Sequence, residues 1–185
     1  RDLEPSAAKF TSDDTITILR DEKFTDPISF EYDGVFSPES TQQHVFDTAA
    51  KDLVISALDG FSVCIFAYGQ TGSGKTYTMT GPEKDRGLNF RAIQMLFTLA
   101  EEAAAEHSVD YTLHLSILEI YNETIKDLLP SSESNTKNTK KLEIHVASGE
   151  CQVPGLERHT VNSVEDVEAL LDRGAKHRSV GAHDM

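Results

Sequence analysis

Apolar and polar positions follow two different periods along this chain, and the switches between them mark its elements. Residues 1–14 are polar and acidic and read as a loop. Thr15 to Leu19 alternates β-branched and apolar residues, which predicts a short strand, and Ile28 to Tyr32 predicts a second one after a turn over Asp21 to Pro27. Ser37-Pro38 then punctuates the chain. Val45, Phe46, Ala49, Ala50, Leu53, Val54, Ala57 and Leu58 recur at helical spacing, so a helix is expected from Thr41 to Leu58. Ser40 or Thr41 can cap its start, and Gly60 can take the left-handed position at its end.

Ser62 to Tyr68 is a continuous apolar run of the kind found in strands buried on both faces. A glycine-rich turn and a second helix follow, broken by Gly81-Pro82 and Gly87, and a helical pattern resumes from Asn89 to Glu106. Val109 to Tyr121 alternates and predicts one long strand. The polar run SSESNTKNTKK at 131–141 reads as a flexible loop. Short strands are expected at Leu142 to Val146 and Arg158 to Val161. A last helix is expected from Ser163 to about Val180, with Asp166 completing a capping pair. Strands alternating with helices predict an α/β domain around a largely buried sheet.

Composition narrows the function classes. The 185 residues carry a formal net charge of −14, which argues against a general nucleic-acid binder, since that requires a basic footprint. No apolar run approaches the roughly 20 residues of a membrane helix, and no secretory signal pattern is visible at the start. The two cysteines, Cys64 and Cys151, form no C-x-x-C pair and suggest neither a zinc site nor a disulfide framework. That pattern fits a reducing, cytosolic compartment. Cys64, inside the apolar run, is expected to be a buried small hydrophobe.

The chemistry concentrates in Gly69-Gln70-Thr71-Gly72-Ser73-Gly74-Lys75-Thr76, a full match to G-x-x-x-x-G-K-[ST]. Glycines let the backbone turn so that several N–H groups face one phosphate chain. Lys75 can reach the β- and γ-phosphates, and the Thr76 hydroxyl can bind Mg²⁺. At average glycine usage, a chain of this length matches by accident roughly once in a hundred or less, and the flanking strand and helix patterns are those the mechanism requires. A Mg²⁺-associated acid and a water-positioning residue complete such a site elsewhere. Glu119, ending an apolar strand, superficially resembles the acid, but a solvated or packing-edge role is the preferred reading. No Asp-x-x-Gly switch occurs in the 185 residues. His44 and His114 are read as structural or surface residues, and Lys137, Lys140 and Lys141 as a solubilising loop cluster.

Several segments together resemble the kinesin motor family. YGQTGSGKTYTMTG (Tyr68 to Gly81) is similar to the kinesin form of the phosphate loop, and FEYDGVFSPESTQQHVFD (Phe30 to Asp47) to the segment entering its first helix. LEIYNETIKDLL (Leu118 to Leu129) resembles the central strand and following turn, and Val153 to Met185 the stretch leading to switch I. The matches keep order and spacing from about residue 28 to the end.

The resemblance implies an ATPase that moves along microtubules. Its fold would be a three-layer P-loop NTPase, with a central, mixed but mainly parallel sheet and helices on both faces. Residues 1–185 would form a single partial motor domain, with the first strand, switch I, switch II and the main microtubule-binding elements outside it. Carried over by position, Gly69, Gln70, Thr71, Gly72, Ser73, Gly74, Lys75 and Thr76 would bind the phosphates of ATP or ADP. Lys75 and Thr76 would serve catalysis, with Thr76 as the Mg²⁺ ligand. Tyr77 matches the aromatic that stacks on adenine; an ordinary half-buried helix aromatic is the equal alternative. Arg158 and His159 are candidates for tubulin contact, against a plain surface role. Partners would be microtubules and ATP, with no nucleic acid and no membrane, and with homo- or heterodimerisation through a coiled coil outside this chain. Location would be the cytoplasm and the microtubule cytoskeleton, the spindle included. The form of GFSVCIFAYGQTGSGKTYTM is most similar to the C-terminal-motor, minus-end-directed subfamily, although direction is set by a neck outside this chain. A non-cycling nucleotide- or microtubule-binding module is the competing reading, and a small-molecule P-loop kinase a more distant one.

Overall fold

The computed structural model describes residues 8–19, 27–107, 109–131, 142–147 and 150–181. The chain divides into two compact units, residues 1–98 and 99–185.

In the first unit, β1 (Ala8–Phe10), β2 (Thr15–Leu19) and β3 (Pro27–Glu31) form an antiparallel sheet in that order. Lys9 stands opposite Thr17 and Ile16 opposite Phe30. The β2 and β3 spans follow the alternation. β1 corrects the expected loop: its three residues carry no long apolar pattern, and only pairing to β2 makes them a strand. The turn expected over Asp21 to Pro27 lies outside the described residues up to 26, and Pro27 already belongs to β3.

The single helix expected over 41–58 is two helices, α1 (Gln42–Ala49) and α2 (Lys51–Leu58). Ala50 breaks them with φ −127° and ψ −26°, although its own N–H still reaches Phe46 O and its carbonyl receives Val54 N–H. The apolar stripe therefore survives the kink. Phe46, Ala50 and Val54 form one buried cluster with Leu88, against which Ile65, Met79, Met95 and Leu96 pack. The capping expectation holds: Thr41 Oγ1 accepts from His44 N–H at 3.1 Å. Gly60, at φ 93°, ends α2.

Residues 61–68 correct the sequence reading most. They form no strand and pair with no other described segment. Phe66 is 87% exposed and Tyr68 100%, and Cys64 is also exposed. A strand is defined by its neighbours rather than by its own apolar content, and the described residues supply none here. All strand pairs among the described residues are antiparallel, so the mainly parallel sheet is not represented among them. After α3 (Lys75–Met79) a tight loop leads to α4 (Leu88–His107).

The second unit is built from short antiparallel pairs and one helix. β4 (Leu113–Leu115), β5 (Leu118–Tyr121) and β6 (Thr124–Asp127) are followed by β7 (His145–Ala147), β8 (Glu150–Gln152), β9 (His159–Val161) and α5 (Val164–Gly181). β4 pairs with β9, β5 with β6, and β7 with β8. The long strand expected over 109–121 is thus two strands that change partner at Ser116-Ile117. β6 and β8 were not foreseen. The β5–β6 turn is Asn122-Glu123, both with positive φ (47° and 59°), a two-residue hairpin turn without the glycine that usually announces it. α5 starts as its sequence predicts: Asp166 N–H donates to Ser163 Oγ at 3.2 Å, and Asp166 Oδ2 accepts from Asn162 N–H at 2.9 Å. The polar loop expected over 131–141 lies outside the described residues from 132 onward.

Candidate functional site

Gly69 to Gly74 form a loop between residues 61–68 and α3, and Lys75 and Thr76 open α3. Gly69, Gly72 and Gly74 all have positive φ, at 155°, 82° and 93°. A Cβ at Gly69 would sit 2.4 Å from Ser73 Oγ and 3.1 Å from Ser73 Cβ, so a larger residue would have to displace the Ser73 side chain. Ser73 N–H donates to Gln70 O at 3.2 Å and closes the turn. Gly74 is the left-handed N-cap of α3. Left-handed and right-handed residues in succession make a concavity of N–H groups that suits an anion.

Lys75 is the first residue of α3. Its ammonium donates to Gly69 O and to Gln70 O, both at 2.8 Å. The positive charge is therefore pinned over the mouth of the loop by two carbonyls. Gln70, Thr71, Ser73 and Thr76 are exposed around it. The structure thus brings Gly69 to Thr76 together as one cradle. These residues fit a Mg²⁺–nucleotide. The glycines leave room for a phosphate chain, Lys75 supplies charge, and the Thr76 hydroxyl is a hard oxygen donor. Mg²⁺ commonly takes only one or two protein ligands and completes its octahedron with phosphates and water. That habit is compatible with the absence, among the described residues, of any group of three or more His, Cys, Asp or Glu able to hold a metal.

Tyr77 follows on α3 and is 57% exposed, which suits both a base-stacking ring and an ordinary half-buried helix aromatic. Its carbonyl accepts from Gln42 Nε2 at 2.6 Å. Sequence reasoning missed Gln42, which is 3% exposed; only its poor fit to a buried position could have flagged it.

The loop beyond α3 is fixed by Arg91 on α4. Its guanidinium donates to Asp85 Oδ1 and Arg86 O, both at 2.7 Å, and to Gln43 Oε1 on α1. Gly81 and Gly87 come so close that a Cβ on Gly81 would lie 2.4 Å from Gly87 N.

In the second unit, Glu119 accepts an ion pair from Arg178 Nε at 2.9 Å, which supports the packing-edge reading. His159 is half-buried, and its Nε2 lies 2.9 Å from Leu129 O. The Leu129 carbonyl can only accept and so asks for a proton on Nε2, whereas the Arg173 guanidinium, 3.3 Å from the same nitrogen, asks for its lone pair. The Arg173 guanidinium also donates to Leu129 O at 2.9 Å. The ring is thus engaged inside its own unit rather than offered at the surface, whereas Arg158 is exposed. The short strand expected over Leu142 to Val146 is β7 from His145, paired with β8 in a hairpin on which Val146 is 74% exposed. No helix among the described residues is long and apolar enough to cross a membrane.

Comparison with known proteins gives one family. A model described as the kinesin motor domain matches residues 4–185. Kinesin-like protein KIN-14E of Oryza sativa subsp. japonica is 46% identical over 158 residues, covering 85% of this chain and 14% of that protein. KIN-14Q of Arabidopsis thaliana is 44% identical over 154 residues, covering 83% and 13%. Among solved structures, a fast kinesin studied for its ATPase mechanism and interactions with microtubules aligns with a TM-score of 0.82 at 35% identity. That alignment covers 95% of this chain and 48% of the other. A KIF14 dimer in a two-heads-bound state, with AMP-PNP and in complex with a microtubule, aligns with a TM-score of 0.81 at 32% identity, covering 94% and 49%. The chain therefore spans about half of each solved motor and a smaller share of the KIN-14 proteins.

Proposed function

The chain belongs to the kinesin motor-domain family, and from that premise we propose that it holds Mg²⁺-ATP on Gly69 to Thr76 and couples ATP hydrolysis to movement along microtubules. The observation that carries the reading is the Lys75 ammonium, fixed 2.8 Å from two loop carbonyls above a turn of left-handed glycines. Phosphoryl transfer asks little covalent chemistry of a protein; positioning and charge do most of the work.

In this reading the backbone N–H groups of the loop orient the phosphate chain, and Lys75 moves its donors from the loop carbonyls to phosphate oxygens. Thr76 Oγ1 would be the protein's ligand to Mg²⁺. An ion held there would supply positive charge against the charge developing on the phosphates. Tyr77, exposed beside the loop, would stack on the base. Arg158, exposed six residues beyond the β7–β8 hairpin in sequence, would face the microtubule. The solved neighbours with nucleotide and microtubule support this assignment, as do the KIN-14 relatives.

The test is titration of a labelled ATP analogue into the full-length protein. Lys75→Ala removes a charge-assisted contact worth about 1.5–3 kcal/mol, and Thr76→Ala should weaken binding only when Mg²⁺ is present. Tyr77→Ala should weaken ATP and ADP alike, by roughly 1–3 kcal/mol, and leave inorganic pyrophosphate binding unchanged. Wild-type affinity in both Lys75→Ala and Thr76→Ala would sink the assignment.

A further inference from the structure

The way α3 ends leaves one of its carbonyls outside the helical ladder. Thr80 N–H donates to Thr76 O at 2.8 Å, and Gly81 N–H reaches the same oxygen at 3.2 Å. Gly81 is the residue four places beyond Tyr77, and its N–H is given to Thr76 O rather than to the Tyr77 carbonyl. That carbonyl accepts instead from Gln42 Nε2 at 2.6 Å, across 35 residues of sequence. Gln42, the first residue of α1, is the one buried polar side chain among the described residues.

A buried amide is costly unless its donors and acceptors are paired. Here the partner is the backbone of the helix that begins with Lys75. α3 has only five residues, too few to be stiff by themselves. Tyr77 lies one residue from Thr76 and two from Lys75, so a brace at its carbonyl fixes the turn that carries both side chains. Gln43 faces the next element: it accepts from Arg91, which also binds Asp85 and the Arg86 carbonyl. The same end of α1 thus fixes both α3 and the loop that follows it.

We propose that Gln42 is a positioning residue for the nucleotide, holding α3 through the Tyr77 carbonyl so that Lys75 and Thr76 meet the phosphates in a preset geometry. The inference rests on the phosphate-loop reading above. Groups held in place before the ligand arrives lose less freedom on binding, and small misplacements at such a site are expensive.

Two substitutions test it in the full-length protein. Gln42→Met keeps the length and most of the volume but has no donor. Gln42→Glu keeps the shape, and its carboxyl donates only when protonated, a form that burial favours. Calorimetric titration with ADP and with inorganic pyrophosphate, in Mg²⁺ and well below the melting transition, is the readout. Gln42→Met should bind both ligands roughly tenfold more weakly, as for one buried hydrogen bond lost with its acceptor unpaired. A merely structural role would lower the melting temperature and leave the folded protein's pyrophosphate affinity unchanged. Gln42→Glu, compared with wild type at each pH, should bind weakly at about pH 8 and recover towards about pH 5.5. If Gln42→Met does not fold, Gln42→Glu decides alone, and a ratio to wild type that is flat with pH overturns the proposal. Lys75→Ala, run in parallel, separates the two claims. Unchanged pyrophosphate affinity in Lys75→Ala means the phosphate-loop reading has failed. A loss there, with wild-type binding in both Gln42 variants, overturns the brace alone.

Discussion

Leu129 shows at the level of single residues how the second unit is fastened. It is fully buried, and its N–H donates to Asp127 Oδ1 at 2.7 Å. Asp127 Oδ2 takes Glu157 N–H at 2.9 Å, and the Glu157 carboxylate takes the N–H and hydroxyl of Ser131. The Ser131 hydroxyl first, and then its N–H, hold the Glu157 carboxyl below its ordinary value of 4.5, with the His159 and Arg173 charges adding to the effect. The fold therefore prefers the ionised carboxylate. Its contribution to stability is fully present above pH 4.5 and is lost as pH falls through the lowered folded value. Glu157→Gln should thus shrink the drop in melting temperature between about pH 7 and about pH 3; a drop as large as wild type's would contradict the role. The sequence made Lys75 and Thr76 legible because their chemistry is local and has fixed spacing. It could not reveal Gln42, whose partner is a carbonyl released only by the particular way α3 terminates. His159 misled for a related reason: exposure is a tertiary property, and its ring is taken up by Leu129 O.

At the level of elements, helices were legible and strand partners were not. The stripe Phe46, Ala50, Val54 predicted a buried face, and that face is the core of the first unit. The kink at Ala50 was invisible because it leaves the stripe in place. Phe46→Ala should cost about 3–5 kcal/mol through the cavity it leaves. Ala50→Leu should cost about 1–3 kcal/mol by overpacking a residue that is 1% exposed. Denaturant unfolding of the full-length protein measures both, and near-wild-type midpoints would place this cluster outside the core. Residues 109–121 alternate up to Ile117 and change phase at Ile117-Leu118, where they exchange β9, 44 to 48 residues away, for β6, 3 to 9 residues away. The apolar run 62–68 is the same lesson in stronger form. Its composition suits burial on two faces, but burial requires neighbours that lie far off in sequence or outside this chain.

The whole molecule has to be read with its length in mind. It spans 48% of the fast kinesin it resembles in structure, and Phe61, Phe66 and Tyr68 are well exposed beside the phosphate loop. Its net charge of −14 leaves it without the basic footprint that an anionic partner requires. In-line attack on ATP needs a held water and a γ-phosphate sensor, which switch loops supply, and neither signature occurs in these 185 residues. The polypeptide of residues 1–185 should accordingly show no microtubule-stimulated turnover. The account as a whole stands on phosphate release by the full-length protein, measured with and without polymerised tubulin, for wild type and Lys75→Ala. It predicts slow release by wild type alone, a many-fold rise with microtubules, and neither rate in Lys75→Ala. Wild-type turnover that microtubules leave unchanged, or a Lys75→Ala protein that microtubules stimulate as they do wild type, would contradict it.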